Sequence, residues 1–180
     1  MSASPGRGAG DAWRDVDLIV VGGSPMLDGA LLMLDSSSNG PARGSYVGAM
    51  YDAGPLILWV DWYGWPSDLE IPRETTLLTG AGRSGVRKLF EILDRDGRGT
   101  DTSRPDSEVA ALAMLPLAAK YVARRDDESA RSMASMLGVP PSVDPLDGLF
   151  EVLSAVSGHA PIRERVRQYL DVVRLFVRDD

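Results

Sequence analysis

The chain has no cysteine and a single histidine, His159, in 180 residues. Without cysteine it can form no disulfide, thiolate zinc site, iron–sulfur cluster or thiol nucleophile. One histidine also leaves no histidine cluster for a transition metal. An enzyme built from this chain would depend on carboxylates, hydroxyls, lysine, arginine or a borrowed cofactor. The sequence therefore predicts no metal site, and it identifies neither a catalytic residue nor a cofactor.

Basic residues are outnumbered, because 19 Lys and Arg face 26 Asp and Glu, which gives a net charge of −7. Attraction to phosphate backbones or to an anionic membrane surface requires an excess of positive charge on one face. The charge balance thus disfavours nucleic acid and membranes as partners. Apolar runs such as 56–60 are also far shorter than a membrane span.

The first residues, 1–11, are mostly Ser, Gly, Ala and Pro and contain no apolar core of the kind that a secretion signal needs. We interpret this segment as a disordered tail. The expectation that follows is a cytoplasmic protein.

Short apolar runs with β-branched and aromatic residues, separated by Gly, Pro, Asn and Ser, occupy the first half of the chain and predict strands. The connections are too short to contain crossover helices, so the strands are expected to pair antiparallel. The predicted strands are 16–21, 30–34, 45–51, 56–63 and 75–79.

A helical period replaces this pattern from position 86 onward. Asp106 and Asp144 are candidate N-caps, Gly138 is a candidate C-terminal stop, and Pro116 is expected to kink or split its helix. The sequence thus predicts an α+β fold: an antiparallel sheet of about five strands (16–79), then about five helices (86–178) packing on one face. We expect one domain over 12–180, with a possible sub-boundary at 97–105.

A glycine-rich segment, 80–85, matches the pattern G-x-G-x-x-G between a predicted strand and a predicted helix. In that position, glycines let a phosphate approach helix N-terminal amides. No second strand ending in an acidic residue follows, so the dinucleotide-binding unit is incomplete. The candidate phosphate-binding residues are Gly80, Gly82, Arg83, Ser84, Gly85 and Lys88.

Two further patterns are incomplete. The stretch 90–100 resembles the start of an EF-hand calcium loop, but position twelve of that loop, where a bidentate glutamate belongs, is Pro105. His159 follows Ser154 and Ser157, yet no G-x-S-x-G pattern accompanies them. We interpret the first as a turn and the second as a capping or surface histidine.

The segment 56–66 is the most unusual part of the sequence, since it contains three of the four tryptophans within a stretch of seven residues. Strand alternation places Trp59, Asp61 and Tyr63 on one face. A core-facing Asp61 would need a partner to offset its desolvation, so we expect this face to be accessible and the opposite face to pack under helices. The predicted partner-binding residues are Trp59, Asp61, Tyr63 and Trp65.

These observations favour a small acidic protein-binding module of the adaptor, immunity or antitoxin kind, without catalytic activity. Its expected partner is another protein or a second copy of the chain. The alternative is a phosphate- or nucleotide-binding domain, or a small enzyme, that uses the glycine-rich loop 80–85.

Overall fold

The computed structural model describes residue 13, residues 15–101 and residues 104–178, so the predicted tail 1–11 lies outside the described residues. The described chain divides into two compact units. Of the described residues, unit 1 contains 15–49, 59–101 and 104, and unit 2 contains 13, 50–58 and 105–178. Whether 12–180 folds as a single domain stays a prediction.

A mixed sheet forms the N-terminal half of the chain. Its strands are β1 (Val16–Val21), β2 (Leu32–Asp35), β3 (Ser45–Ala53) and β4 (Leu56–Trp65), in the order β1-β4-β3-β2. β1 pairs with β4 in parallel, with Val16 opposite Val60 and Val21 opposite Trp65. The α+β fold is confirmed, but the expected antiparallel arrangement of every strand is wrong for β1.

Chain connectivity explains the antiparallel part of the sheet. β3 and β4 form an antiparallel hairpin, since only Gly54 and Pro55 separate them and Gly54 has the positive φ of 68° that tight turns favour. β4 is the longest strand and takes a neighbour on both sides. β1 and β2, which the connection 22–31 joins, lie at opposite edges of the sheet.

The fifth predicted strand, 75–79, does not form. The Thr75 hydroxyl donates to the Pro72 carbonyl at 2.8 Å and lies 3.0 Å from the Ser84 hydroxyl. Such local side-chain bonds compete with a strand ladder. Leu77 and Leu78 are left exposed in a loop.

Unit 1 is closed by a short helix, α1 (Leu89–Asp96). Ile92 and Leu93 of α1 are completely buried and share a core cluster with aromatic and aliphatic side chains of the sheet. The sheet residues of this cluster are Ile19, Tyr46, Tyr63 and Trp65.

Unit 2 contains four helices: α2 (Ser107–Ala123), α3 (Asp127–Met136), α4 (Pro145–Ala155) and α5 (Ala160–Arg178). α2 packs against the other three. The predicted caps are confirmed, because Asp106 and Asp144 accept hydrogen bonds from first-turn amides and Gly138 has a φ of 85°. Pro116 does not split α2, which runs through it with the ring buried.

No helix within the described ranges is both long enough and apolar enough to cross a membrane.

The β3–β4 turn is held by one arginine of α5 in unit 2. Arg165 donates from Nε to Asp52 at 3.0 Å and from Nη2 to the carbonyls of Gly54 and Leu56 at 2.9 and 2.5 Å. Its side chain is only 12% exposed. One guanidinium thus satisfies a carboxylate and two carbonyls of the turn.

We expect Arg165→Ala to lower the free energy of unfolding by about 1–3 kcal/mol, because it removes charge-assisted hydrogen bonds from a mostly buried site. Chemical denaturation measures this, and hydrogen exchange should quicken across 52–56. Arg167→Ala is the matched control two residues along α5: its side chain is 46% exposed and its acidic neighbour lies 3.9 Å away. Equal losses in the two variants would contradict the role of Arg165.

Candidate functional site

The aromatic strand is part of the core. Trp59, Tyr63 and Trp65 are only 4%, 5% and 1% exposed, and Asp61 is half-buried. The predicted accessibility of this face is therefore wrong, since these aromatic side chains are buried within the chain. Trp62, on the opposite face, is also buried.

Asp61 is half-buried, and two side chains satisfy its carboxylate. Its Oδ1 accepts hydrogen bonds from the Tyr46 hydroxyl at 2.5 Å and from the Trp59 indole nitrogen at 2.8 Å. Burial, and then the neighbouring Asp61 charge, raise the pKa of Tyr46 well above its usual range, so the phenol stays protonated and donates. Gly48 completes the arrangement, because a Cβ at that position would overlap the Trp59 ring.

The backbone amides beside the glycine-rich loop donate hydrogen bonds to carboxylates. Glu70 accepts from the backbone nitrogens of Val86 and Arg87 at 2.6 and 3.0 Å and forms an ion pair with the Arg87 guanidinium. Glu91 accepts from the Lys88 amide at 2.8 Å, and Glu74 accepts from the Leu89 amide at 3.0 Å.

These are the donors that a phosphate at the start of α1 would need. Three carboxylates hold them and would repel an anion, so the geometry disfavours the alternative of phosphate binding at this loop. Gly80, Gly82, Arg83, Ser84 and Lys88 are exposed in the loop and Gly85 is half-buried. The same hydrogen bonds delay the start of α1 to Leu89, three residues beyond the predicted position 86.

A groove lies beside β1 in unit 1, and we call it the β1 groove. It consists of three adjoining cavities of about 450, 40 and 210 Å³. The first and second share Val21, Ile71 and Leu77, and the second and third share Ile19 and Thr75. One wall is therefore β1, and the other is the chain segment that runs from Ile71 into α1.

The groove is apolar at one end and acidic at the other. Val20, Met26 and Trp62 line the first cavity together with Val21 and Leu77. Asp17 and Glu74 line the third cavity, next to Leu89 and Phe90. None of the residues that line the three cavities is lysine or arginine.

Sequence reasoning missed this groove. The signal that could have revealed it is the pair Leu77-Leu78, two large apolar residues at the end of a segment with a proline and several polar residues. The pattern of that segment predicts a strand, whereas the structure exposes both leucines.

The serine and histidine residues near position 159 have structural roles. The Ser157 hydroxyl donates to Glu108 at 2.6 Å and the Ser154 hydroxyl donates to the Glu151 carbonyl at 2.7 Å, while His159 is exposed. The hydrogen bonds from Ser157 and Gly158 hold the pKa of Glu108 below its usual value. These serines are therefore not arranged as nucleophiles beside the histidine.

The carboxylates of the EF-hand-like stretch bind arginine: Asp94 pairs with Arg98 at 2.8 Å and Asp96 with Arg95 at 2.6 Å. Among the residues that the structure describes, no group of three or more histidine, aspartate or glutamate side chains is placed to hold a metal ion.

Searches of protein-family models, of curated proteins and of solved structures found no match to this chain.

We expect Trp59→Ala to lower the free energy of unfolding by about 3–5 kcal/mol, as much as Trp62→Ala, because both remove a buried indole. Trp59→Phe should cost less, since it keeps most of the ring packing and loses the bond to Asp61. Denaturant unfolding followed by circular dichroism measures all three. A loss below about 1 kcal/mol for Trp59→Ala would mean that this face is accessible after all.

Inorganic phosphate, ADP and ATP should leave the melting temperature unchanged, because carboxylates already hold the amides beside the glycine-rich loop. A ligand that binds only the native state must raise the melting temperature, so a thermal-shift series detects it. A concentration-dependent rise that disappears in Arg83→Ala/Lys88→Ala would restore the phosphate-binding alternative.

Proposed function

We propose that the chain is a non-catalytic protein-binding module and that its binding site is the β1 groove. The observation that carries the proposal is an elongated apolar groove that lies along an edge strand and displays exposed aliphatic side chains. The aromatic strand, which the sequence singles out, serves as the buried support of this site.

Exposed apolar residues are concentrated around the groove. Val21, Met26 and Leu77 line it and are all exposed, with Leu77 at 54%. Single exposed apolar residues are ordinary, but a cluster of them marks a surface that a partner covers. Each square ångström of apolar area removed from water contributes about 25 cal/mol, which favours association.

The shape of the groove favours a polypeptide segment over a compact small molecule. The three cavities follow β1 from Val21 to Asp17, and the middle one is narrow, at about 40 Å³. Small-molecule sites enclose most of their ligand and place a few polar groups around it. The acidic end, with Asp17 and Glu74, also opposes nucleic acid. The proposal includes the cytoplasmic location that the sequence predicts.

A matched pair of leucines tests the proposal. Leu77 lines the first two cavities, whereas Leu78 lines none of the three and is equally exposed, at 53% against 54%. The full chain is used to select binders from a display library of random twelve-residue peptides, and the affinities of selected peptides are then measured for each variant.

We expect Leu77→Asp to weaken binding of the selected peptides at least about tenfold, because it places a charge in the apolar end of the groove. Leu78→Asp should leave their affinity unchanged, and both variants should melt like the parent chain. If no selected peptide is sensitive to Leu77→Asp, or if both variants lose affinity equally, the β1 groove is not the binding site.

A further inference from the structure

Methionine carries all the sulfur of this chain, because the sequence contains seven methionines and no cysteine. Oxidants convert the methionine thioether to a sulfoxide, and methionine sulfoxide reductases convert the sulfoxide back. Thiol oxidation cannot occur here. Reversible oxidation of sulfur in this protein therefore takes place at methionine.

The methionines within the described ranges differ widely in exposure. Met26, Met33 and Met136 are exposed, at 67%, 50% and 72%, whereas Met50 is completely buried. Two others are half-buried, Met114 and Met133. Oxidation of sulfur follows its accessibility to the oxidant. The three exposed methionines are thus the expected sites of reaction.

One of these three methionines lies in the β1 groove. Met26 belongs to the connection 22–31 and lines the first cavity together with Val21 and Leu77. No residue that lines this cavity is charged. Met33 and Met136 line none of the three cavities. Oxidation of Met26 therefore changes the apolar end of the groove, and oxidation of Met33 or Met136 does not.

The chemistry of the reaction explains its effect on binding. A hydroperoxide transfers one oxygen atom to the thioether: the O–O bond breaks, a sulfur–oxygen bond forms, and hydrogen peroxide is reduced to water while sulfur loses two electrons. The flexible apolar side chain becomes polar. A partner that covers the first cavity would then have to bury the sulfoxide oxygen, and its desolvation opposes association.

We propose that Met26 is a reversible oxidation site and that its sulfoxide weakens binding of the partner at the β1 groove. The thioether is the binding form, and a hydroperoxide converts it to the weakly binding form. This inference rests on the proposed function, since it assigns a chemical regulator to the same site.

Peptide mapping by mass spectrometry tests the chemical step. The full chain is treated with hydrogen peroxide, the oxidant is removed with catalase, and the oxidised methionines are located in a digest. We expect Met26, Met33 and Met136 to gain one oxygen atom well before Met50. If Met26 stays reduced while the other two exposed methionines are oxidised, the inference is overturned.

A selected peptide tests the consequence for binding. The probe is a peptide from the display selection that is sensitive to Leu77→Asp and contains neither methionine nor cysteine. The oxidised chain should bind it at least about fivefold more weakly than the untreated chain, because a polar group is covered. Methionine sulfoxide reductases of both stereospecificities should restore the affinity, and a loss that they do not reverse would contradict the proposal.

Matched variants assign the effect to one sulfur atom. Met26→Leu keeps an apolar side chain without sulfur, so its affinity should be the same before and after peroxide. Met33→Leu/Met136→Leu is the control, and it should lose affinity on oxidation as the parent chain does. Met26→Gln, which is polar without oxidant, should weaken binding in untreated protein.

The outcomes separate the two proposals. If the peptide depends on Leu77 but binds equally well after Met26 is oxidised, or if Met26→Leu loses as much affinity on oxidation as the parent chain, the oxidation site fails and the proposed function stands. If no selected peptide depends on Leu77, the proposed function fails and the regulation of that site falls with it.

Discussion

The parallel pairing of β1 with β4 is the constraint on which the rest of unit 1 depends. It makes β4 an interior strand with a neighbour along each edge. It also places β1 at the edge of the sheet, beside the segment that runs from Ile71 into α1. The interior position of β4 and the location of the β1 groove thus have one origin.

Local features of the fold could be predicted from the sequence, and long-range ones could not. The five helices follow from apolar period and capping chemistry, which involve residues a few positions apart. The partner of β1 is more than forty residues away in the chain, with Val16 opposite Val60, and strand periodicity carries no information about it. The expected strand 75–79 does not form for a related reason: its pattern is suitable, but among the described residues the segment is not part of the sheet.

The same contrast between local and long-range features explains which parts of the candidate site could be predicted from the sequence. Asp61 does have the partners that its position requires, but the face predicted to be accessible is buried, because Tyr46, fifteen residues earlier, could not be recognised from the sequence as a donor. The glycine pattern 80–85 was real, but the carboxylates that hold the neighbouring amides come from positions 70, 74 and 91. The β1 groove arises only when β1 and the segment after β4 are brought together, so the sequence could indicate exposed leucines at most.

The distribution of tryptophan has a consequence for spectroscopy. Trp59, Trp62 and Trp65 all belong to unit 1, whereas the four long helices belong to unit 2. Intrinsic fluorescence therefore reports mainly on the sheet, and far-ultraviolet circular dichroism reports mainly on the helices. Coincident unfolding curves from the two signals would mean that the units melt as one cooperative body, and separated curves would mean that each has a stability of its own.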